Sequence, residues 1–203
     1  MRYRDTHGSL RTLYALATGQ GGYFTAKQAA VAGYGYPHLA YHLKAGNFER
    51  AGHGLYCLPM IPRAENDDLI RLALWSRNRK DKPQAVVSHA SALFLHQLSD
   101  VLPQKTHLTV PPSFRKPVPR GCALHKGQLA RGDTEERDGF AVTTPLRTLI
   151  DASADPGITD EQLDRAIQDS IARGLVRKFA LKKAIDKVVP AHRREHVAAL
   201  IGS

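Results

Sequence analysis

The segment that decides the N-terminal fold covers residues 22–59 and reads GYFTAKQAAVAGYGYPHLAYHLKAGNFERAGHGLYCLP. Thr25 is a good N-cap for a helix over residues 26–32, because its hydroxyl can accept a hydrogen bond from an amide of the first turn. Pro37 suits the first turn of the next helix, and Gly46 can adopt the left-handed conformation that often ends one. The segment therefore predicts two short helices in close succession.

A further helix precedes this pair and a hairpin follows it. Leucines and alanines recur at helical spacing over residues 9–18, which predicts the earlier helix. Extended runs at 48–50 and 55–58 are separated by residues 51–54, whose two glycines permit a tight turn. Three helices followed by a hairpin is the order of a winged helix-turn-helix.

The rest of the chain predicts a second, larger domain of mixed structure. Pro59 and Pro62 bracket a candidate linker, so we expect a winged helix-turn-helix domain at 1–60 and a mixed α/β domain at 61–203. Apolar periodicity and turn signals predict helices at 67–79, 89–98, 146–152, 159–172, 178–189 and 191–200, and strands at 84–87, 106–110, 121–129 and 140–143. The expected fold class is α+β.

The charge balance indicates a polyanionic partner. The 203 residues include 29 Lys and Arg against 19 Asp and Glu, a net charge of +10, and nucleic acid is the first candidate. The two cysteines, Cys57 and Cys122, exclude a disulfide framework and a cysteine-rich zinc site. No apolar run approaches the roughly 18 residues of a membrane span. We therefore expect a soluble, cytoplasmic protein without a membrane partner.

The outer face of the third helix supplies candidate DNA contacts. At about 100° per residue, Leu39 and Leu43 fall together and define the buried side. Tyrosine, histidine and lysine on the opposite side can meet base edges in the major groove. With one lysine of the second helix and two hairpin residues, the candidate DNA-binding set is Lys27, Tyr36, His38, Tyr41, His42, Lys44, Arg50 and His53.

The members of this set have different expected roles. The two lysines and the arginine are expected to hold phosphates, and the two histidines of the third helix are expected to face the groove with Tyr41. His53 is expected at the tip of the wing. A three-helix unit with a hairpin can also dock a protein, and in that alternative Tyr36 or Tyr41 packs instead of contacting DNA.

Histidine and serine patterns elsewhere do not indicate an active site. Ser88 and His89 are adjacent, and adjacent side chains seldom face each other, so Ser88 is expected to cap the following helix. His89 shares a helix with His96, and His192 shares one with His196. Neither pair has the glutamate of a His-Glu-x-x-His motif, so no metal and no cofactor is predicted.

An acidic cluster supplies the enzyme alternative. Its members are Asp133, Glu135, Glu136 and Asp138. Flanking glycines and arginines indicate a polar loop between strands, and two-metal nuclease chemistry would need carboxylates on strands with a nearby lysine. We therefore predict no catalytic residue and no enzymatic activity, with a nuclease acting through this cluster as the alternative.

An ordered set of motifs resembles the AbiEi-type antitoxins. Residues 22–29, the helix after Pro37 and residues 48–59 resemble that family's N-terminal winged helix-turn-helix. Residues 88–98 are similar to its Ser-His-x-Ser-Ala-Leu stretch, and residues 107–111 resemble its following strand. Residues 144–151 resemble its Pro-x-Arg-Thr-Leu-x-Asp stretch. The matches follow the family order over nearly the whole chain.

The resemblance implies a bacterial type IV toxin–antitoxin system. The N-terminal domain would bind inverted repeats in its own promoter and repress the operon, so double-stranded operator DNA is one expected partner. The C-terminal antitoxin domain would counteract a nucleotidyltransferase-like toxin, the second expected partner. On physical grounds, Arg147 would pair with a nearby carboxylate or with carbonyl oxygens as part of the scaffold. A stand-alone winged-helix regulator, with a ligand-sensing or dimerisation C-terminal domain, is the alternative, and the oligomeric state stays open.

Overall fold

The computed structural model describes the backbone of residues 6–100, 102–188 and 191–202, and the side chains of residues 8–100, 102–184 and 193–200. The chain forms two compact units. The first contains the described residues up to Gln84 together with Glu136–Phe140, and the second contains Ala85–Glu135 together with the described residues from Ala141 onward. The first unit thus continues past residue 60, and the domain division predicted there stays a prediction.

The first unit combines helices with a small antiparallel sheet. In chain order its elements are α1 (Thr6–Thr18), β1 (Tyr23–Thr25), α2 (Ala26–Val31), α3 (Tyr36–Lys44), β2 (Glu49–Gly52), β3 (Leu55–Cys57) and α4 (Asp67–Trp75). The strand order is β1-β3-β2, and both pairings are antiparallel. The predicted winged helix-turn-helix is therefore confirmed.

Local capping chemistry explains where the two central helices begin and end. The Thr25 hydroxyl accepts a hydrogen bond from the Gln28 amide at 3.1 Å, and the Gln28 side chain accepts one from the Thr25 amide at 2.8 Å. This reciprocal capping box starts α2 and confirms the predicted N-cap. Helix α3 carries Pro37 in its first turn and is followed by Gly46 at φ +73°, a left-handed conformation that favours glycine.

Strand β1 is a difference from the sequence-based prediction, which left residues 23–25 as a lead-in to α2. Its partner is β3, with Phe24 opposite Tyr56 and Tyr23 opposite Cys57. A strand of three residues is too short to show a period-2 pattern. It forms because its distant partner offers backbone hydrogen bonds and because Phe24 enters the core.

An aromatic cluster forms the centre of this core. The Phe24 ring meets Phe48 edge-on with centroids 5.1 Å apart, and it stacks on Tyr56 at 5.9 Å. Phe24 is completely buried, and Leu13 of α1 and Leu39 of α3 pack into the same core. The cluster therefore packs α1, α3 and the β2–β3 hairpin, which forms the wing, around one set of side chains.

The second unit places helices around a mixed sheet. The elements after α4 are β4 (Val86–Val87), α5 (His89–Leu95), β5 (Thr106–Val110), β6 (Cys122–Lys126), a 3₁₀ turn (Arg131–Asp133), β7 (Thr134–Arg137), β8 (Phe140–Thr143), α6 (Pro145–Ala154), α7 (Asp160–Ala172), α8 (Lys178–Val188) and α9 (Ala191–Gly202). The end of β7 and the first residue of β8 fall within Glu136–Phe140, which is assigned to the first unit. The strand order is β6-β5-β4-β8-β7. Strand β4 runs antiparallel to β5 and parallel to β8, whereas β5 and β6 are parallel.

Several sequence-based boundaries are wrong. The helix predicted over 89–98 ends at Leu95, and the strands predicted over 84–87 and 121–129 are shorter, at Val86–Val87 and Cys122–Lys126. Residues 134–137 were expected within a polar loop but form strand β7 at one end of the strand order, where charged side chains are common because the strand has an exposed edge. The helix predicted over 67–79 ends at Trp75, and a tight turn follows it. Within the described ranges, the helices lack the combination of length and apolarity that crossing a bilayer requires.

Candidate nucleic-acid interface

Helix α3 exposes aromatic and basic side chains to solvent. Leu39 is 4% exposed, so it forms the buried side of the helix as predicted. Tyr36 is 84% exposed and Tyr41 is 67% exposed, and His38 and Lys44 are exposed as well. A contiguous group of exposed aromatic side chains can mark a surface that contacts a partner. The exposed side of α3 therefore offers hydrogen-bonding and flat groups together with one positive charge.

His42 has a different environment from the other predicted residues of α3. Its ring stacks on Phe48 with centroids 4.8 Å apart and meets Tyr34 edge-on at 5.2 Å. The Asn47 amide donates a hydrogen bond to His42 Nδ1 at 3.1 Å. Burial, with a smaller contribution from His38, lowers the pKa of His42. The structure therefore gives His42 a packing role, and its predicted contact with the groove stays a prediction.

The wing carries Arg50 and His53 at accessible positions. Arg50 lies opposite Tyr56 in the β2–β3 pairing, with its guanidinium carbon 5.9 Å from the centre of that ring. His53 is exposed in the hairpin turn, beside Gly54 at φ +66°. This stacking holds the Arg50 side chain above the sheet while its nitrogens remain available for a phosphate.

Lys27 makes a contact that the sequence did not reveal. Its ammonium donates a hydrogen bond to the Arg79 carbonyl oxygen at 2.6 Å. That carbonyl belongs to the turn after α4, so Lys27 connects α2 to a segment 52 positions later in the chain. The turn contains exposed cations at Arg79, Lys80 and Lys82 that sequence reasoning missed. The density of basic residues over 77–82 was the available signal.

Residues 11–59 match the family model described as "Transcriptional regulator, AbiEi antitoxin". The match covers α2, α3 and the wing, which carry the candidate interface. It agrees with the AbiEi resemblance drawn from the motifs, and it relates the N-terminal segment to antitoxin-type transcriptional regulators.

The fold is also similar to a solved structure. The crystal structure of the RV2827C protein from Mycobacterium tuberculosis superposes with a TM-score of 0.61 and 16% sequence identity. The similarity covers 98% of this chain and 78% of that one. No curated protein matches the sequence. At this identity the likeness concerns the fold alone, and it extends beyond the segment that matches the AbiEi family.

The Ser88–His89 stretch of the AbiEi resemblance forms a buried hydrogen-bonded group. Ser88 occupies the N-cap position of α5 without a side-chain capping bond, so the predicted capping role is wrong. Its hydroxyl instead accepts a hydrogen bond from the Thr109 hydroxyl at 2.8 Å and lies 2.9 Å from His89 Nδ1. The side chain therefore joins the start of α5 to β5.

Three histidines from different elements converge beside this serine. The His89 ring stacks on His125 with centroids 3.6 Å apart, and His107 Nδ1 shares a hydrogen bond with His125 Nε2 at 3.0 Å. Burial, with His125 next, lowers the pKa of His89 to about 3, and burial also lowers the pKa of His107 and His125. Among the residues that the structure describes, no group of three or more ligating side chains is arranged to hold a metal.

Two further histidine candidates and one member of the acidic cluster have structural contacts. His96 Nε2 donates to the Thr143 carbonyl oxygen at 2.8 Å, and His196 lies 2.7 Å from Asp164, whereas the side chain of His192 lies outside the described part. Asp133, from the acidic cluster, pairs with Arg147 at 3.3 Å. The predicted pairing of Arg147 with a carboxylate is thus confirmed.

The lowered pKa values of the three converging histidines predict that the second unit loses stability in mild acid. A histidine whose folded pKa is depressed stabilises the fold fully above the unfolded value near 6.5, and this stability is lost as the pH falls below it. Protonation would add charge beside Lys105 and Arg147, while Asp155 opposes the shift. We expect His89 to account for about 1 kcal/mol of stability lost between pH 7.5 and 5.5.

The measurement is urea unfolding of the wild type and His89→Asn at both pH values. Asparagine suits this site because His89 has φ +52°, a conformation that asparagine tolerates. The variant should lose less stability than the wild type on acidification. Equal losses in the two proteins would show that the pKa of His89 is the same in the folded and unfolded states.

Proposed function

We propose that this protein is a DNA-binding antitoxin of a type IV toxin–antitoxin system. Its winged helix-turn-helix would bind inverted repeats in its own promoter and repress the operon. The protein would also counteract a nucleotidyltransferase-like toxin. The observation that carries the proposal is the exposed side of α3, with Tyr36, His38, Tyr41 and Lys44 open to solvent inside the segment that matches the AbiEi family.

The recognition helix would act through its aromatic and polar side chains. A helix in the major groove meets hydrogen-bond donors and acceptors on base edges and the methyl group of thymine. Tyr41 and His38 offer hydrogen-bonding groups, and Tyr36 adds an open aromatic surface near the start of the helix. His42 would stabilise the position of α3 by stacking on Phe48.

Cations around the helix would supply the phosphate contacts. Lys44 lies in the last turn of α3, and Arg50 stands above the wing. Phosphate contacts fix the orientation of the protein on the duplex but carry little sequence information. His53 at the hairpin tip is placed to approach the backbone or the minor groove. The net charge of +10 favours association with DNA at low salt.

The deciding experiment is a binding titration of the purified protein on its own upstream DNA. Salt is varied, and a scrambled duplex of equal length serves as competitor. Saturable binding that resists the competitor is the expected result, because specific contacts by α3 add to the salt-dependent background. Binding that the scrambled duplex removes equally well would contradict operator recognition.

Lys44→Ala should weaken binding on every duplex tested. Losing one phosphate contact flattens the dependence of log affinity on log salt by about one unit and leaves the preference for the operator largely unchanged. The matched control is Lys178→Ala, which removes an exposed lysine from α8 of the second unit. If both variants change the slope equally, Lys44 acts only through net charge and lies outside the interface.

The toxin part of the proposal needs a separate readout. A nucleotidyltransferase reading frame adjacent to the gene would be expressed from an inducible promoter, so that repression of the native promoter plays no part. Growth arrest that is relieved by co-expression of this chain is the expected outcome. Continued arrest, together with specific operator binding, would favour the alternative of a stand-alone winged-helix regulator.

A further inference from the structure

The turn that follows α4 is tightly organised around one asparagine. The side-chain oxygen of Asn78 accepts hydrogen bonds from the backbone amides of Lys80 at 2.9 Å and Lys82 at 3.1 Å. The backbone amide of Asn78 in turn donates a hydrogen bond to the Lys82 carbonyl oxygen at 2.9 Å. These bonds fold residues 77–82, here called the basic turn, into a closed loop whose backbone is held by its own polar groups.

Two contacts fasten the basic turn to the helix-turn-helix. Lys27 of α2 donates to the Arg79 carbonyl oxygen at 2.6 Å, and Arg77 donates to the Gln20 side-chain oxygen at 2.7 Å. Gln20 also exchanges hydrogen bonds with Gln28, the residue that completes the capping box of α2. The turn therefore has a defined position beside the beginning of α2.

The charges of the turn are unevenly compensated. Asp81 is its one acidic residue, and it is already engaged by Arg77 at 3.0 Å. Arg79, Lys80 and Lys82 are exposed, and within the described residues no carboxylate pairs with any of them. Three free cations are thus concentrated in a short and ordered segment. Such a group attracts a polyanion more strongly than the same three charges would if they were spread far apart on the surface.

We propose that the basic turn contacts the DNA backbone beside α2, as a phosphate-binding surface separate from α3 and the wing. In a helix-turn-helix the first helix crosses the DNA backbone while the second enters the groove, and α2 is that first helix here. This inference rests on the proposed DNA-binding function. Arg79, Lys80 and Lys82 make the contacts, and Lys27 is a positioning residue whose ammonium holds the turn in place.

The main test is the combined variant Arg79→Gln, Lys80→Gln, Lys82→Gln. The matched control, Lys178→Gln, Lys182→Gln, Lys183→Gln, removes three exposed lysines from α8 and has the same net charge. Three lost phosphate contacts should flatten the salt dependence by roughly two to three units on operator and scrambled duplexes alike. The control should change the slope by less than one unit. Thermal unfolding checks that both variants are folded.

The failures of this inference and of the proposed function are distinguishable when Lys44→Ala is measured in the same series. If wild-type binding lacks operator preference, the proposed function fails first. If Lys44→Ala lowers the slope while the turn variant matches the α8 control, the basic turn does not touch DNA and the inference is overturned. Unchanged DNA binding with lost toxin relief would instead assign the turn to an acidic protein surface.

A double-mutant cycle tests the positioning role of Lys27. Lys27→Met keeps most of the side-chain stem but removes the donor to Arg79. If Lys27 acts through the turn, it should weaken DNA binding in the wild type and add little in the background of the turn variant. The backbone amides of residues 78–82 should also exchange hydrogen with solvent faster in Lys27→Met than in the wild type. Full additivity, with unchanged exchange, would place Lys27 itself on a phosphate and overturn this part of the inference.

Discussion

Phe24→Ala is expected to destabilise the winged-helix unit by about 3–5 kcal/mol and to abolish DNA binding. Phe24 is completely buried, and its ring contacts Phe48 and Tyr56 at the centre of the core. Removing it leaves a cavity where α1, α3 and the wing meet, so the recognition helix loses its support. Urea unfolding followed by tryptophan fluorescence measures the loss, because the single tryptophan, Trp75, lies in this unit.

Two further variants separate folding from recognition. Phe24→Leu keeps much of the apolar volume and should show a clearly smaller loss of stability. Tyr36→Ala changes a residue that is 84% exposed, so the unfolding free energy should stay within about 0.5 kcal/mol while operator affinity falls. A loss of unfolding free energy as large as the loss of binding free energy in Tyr36→Ala would show that Tyr36 packs within the fold. Unchanged operator affinity would place Tyr36 outside the DNA interface.

The parts of this fold that could be predicted are those decided by neighbouring residues. Thr25 and Gln28 lie three positions apart and cap α2 by their own hydrogen bonds. Gly46 has the positive φ expected of a residue that ends a helix. Such signals act over a few positions, so the order of helices and hairpin follows from the sequence. The same holds for the alternation of buried and exposed residues on α3, since it depends only on helical spacing.

The parts that were missed depend on contacts between distant residues. Strand β1 exists because Phe24 meets Tyr56, and no local pattern marks three extended residues. The cluster of His89, His107 and His125 brings together α5, β5 and β6, which only the sheet topology makes neighbours. Lys27 likewise has a suitable charge for a phosphate. Only the structure shows that its ammonium donates a hydrogen bond to the carbonyl oxygen of Arg79.

The contacts that the sequence did not reveal change which residues of the candidate interface are expected to contact DNA. The predicted set treated every histidine and lysine of the helix-turn-helix as a possible DNA contact. The structure distinguishes Tyr41 and Lys44, which are exposed on α3, from His42, whose ring packs on Phe48. Lys27 is also exposed, but its ammonium donates a hydrogen bond to the Arg79 carbonyl oxygen. Sequence spacing fixes the side of a helix on which a residue lies, but the identity of its partner decides its role.

Arg147→Met is expected to destabilise the second unit by about 3–5 kcal/mol at pH 8 and by less at pH 5. Arg147 Nε donates to Asp151 at 2.9 Å, and Asp151 is 7% exposed with one carboxylate oxygen that accepts no hydrogen bond. Burial raises the pKa of Asp151 to about 6, although Arg147 opposes this rise. Without the arginine, a buried carboxylate would remain uncompensated.

The sign of the pH dependence follows from the direction of that shift. A carboxyl group with a raised folded pKa stabilises the fold fully below its unfolded value near 3.8, and this stability is lost as the pH rises through the folded value. Removing Arg147 raises the pKa of Asp151 further, so the difference between variant and wild type should widen from pH 5 to pH 8. Because Arg147 also contributes to the lowered pKa of His89, the difference is measured in the His89→Asn background, which removes that contribution.

Asp151→Asn provides the control, because it removes the charge that Arg147 neutralises. The double variant Arg147→Met, Asp151→Asn should recover most of the lost stability at pH 8, as measured by urea unfolding. The stability difference between this double variant and Asp151→Asn alone should depend little on pH. A loss in Arg147→Met that is the same at pH 5 and pH 8 would assign the arginine a packing role. Both residues lie in the 144–151 stretch of the AbiEi resemblance. If the stable double variant also relieves toxin-induced arrest, this stretch serves as scaffold, and the toxin-facing surface lies on other residues.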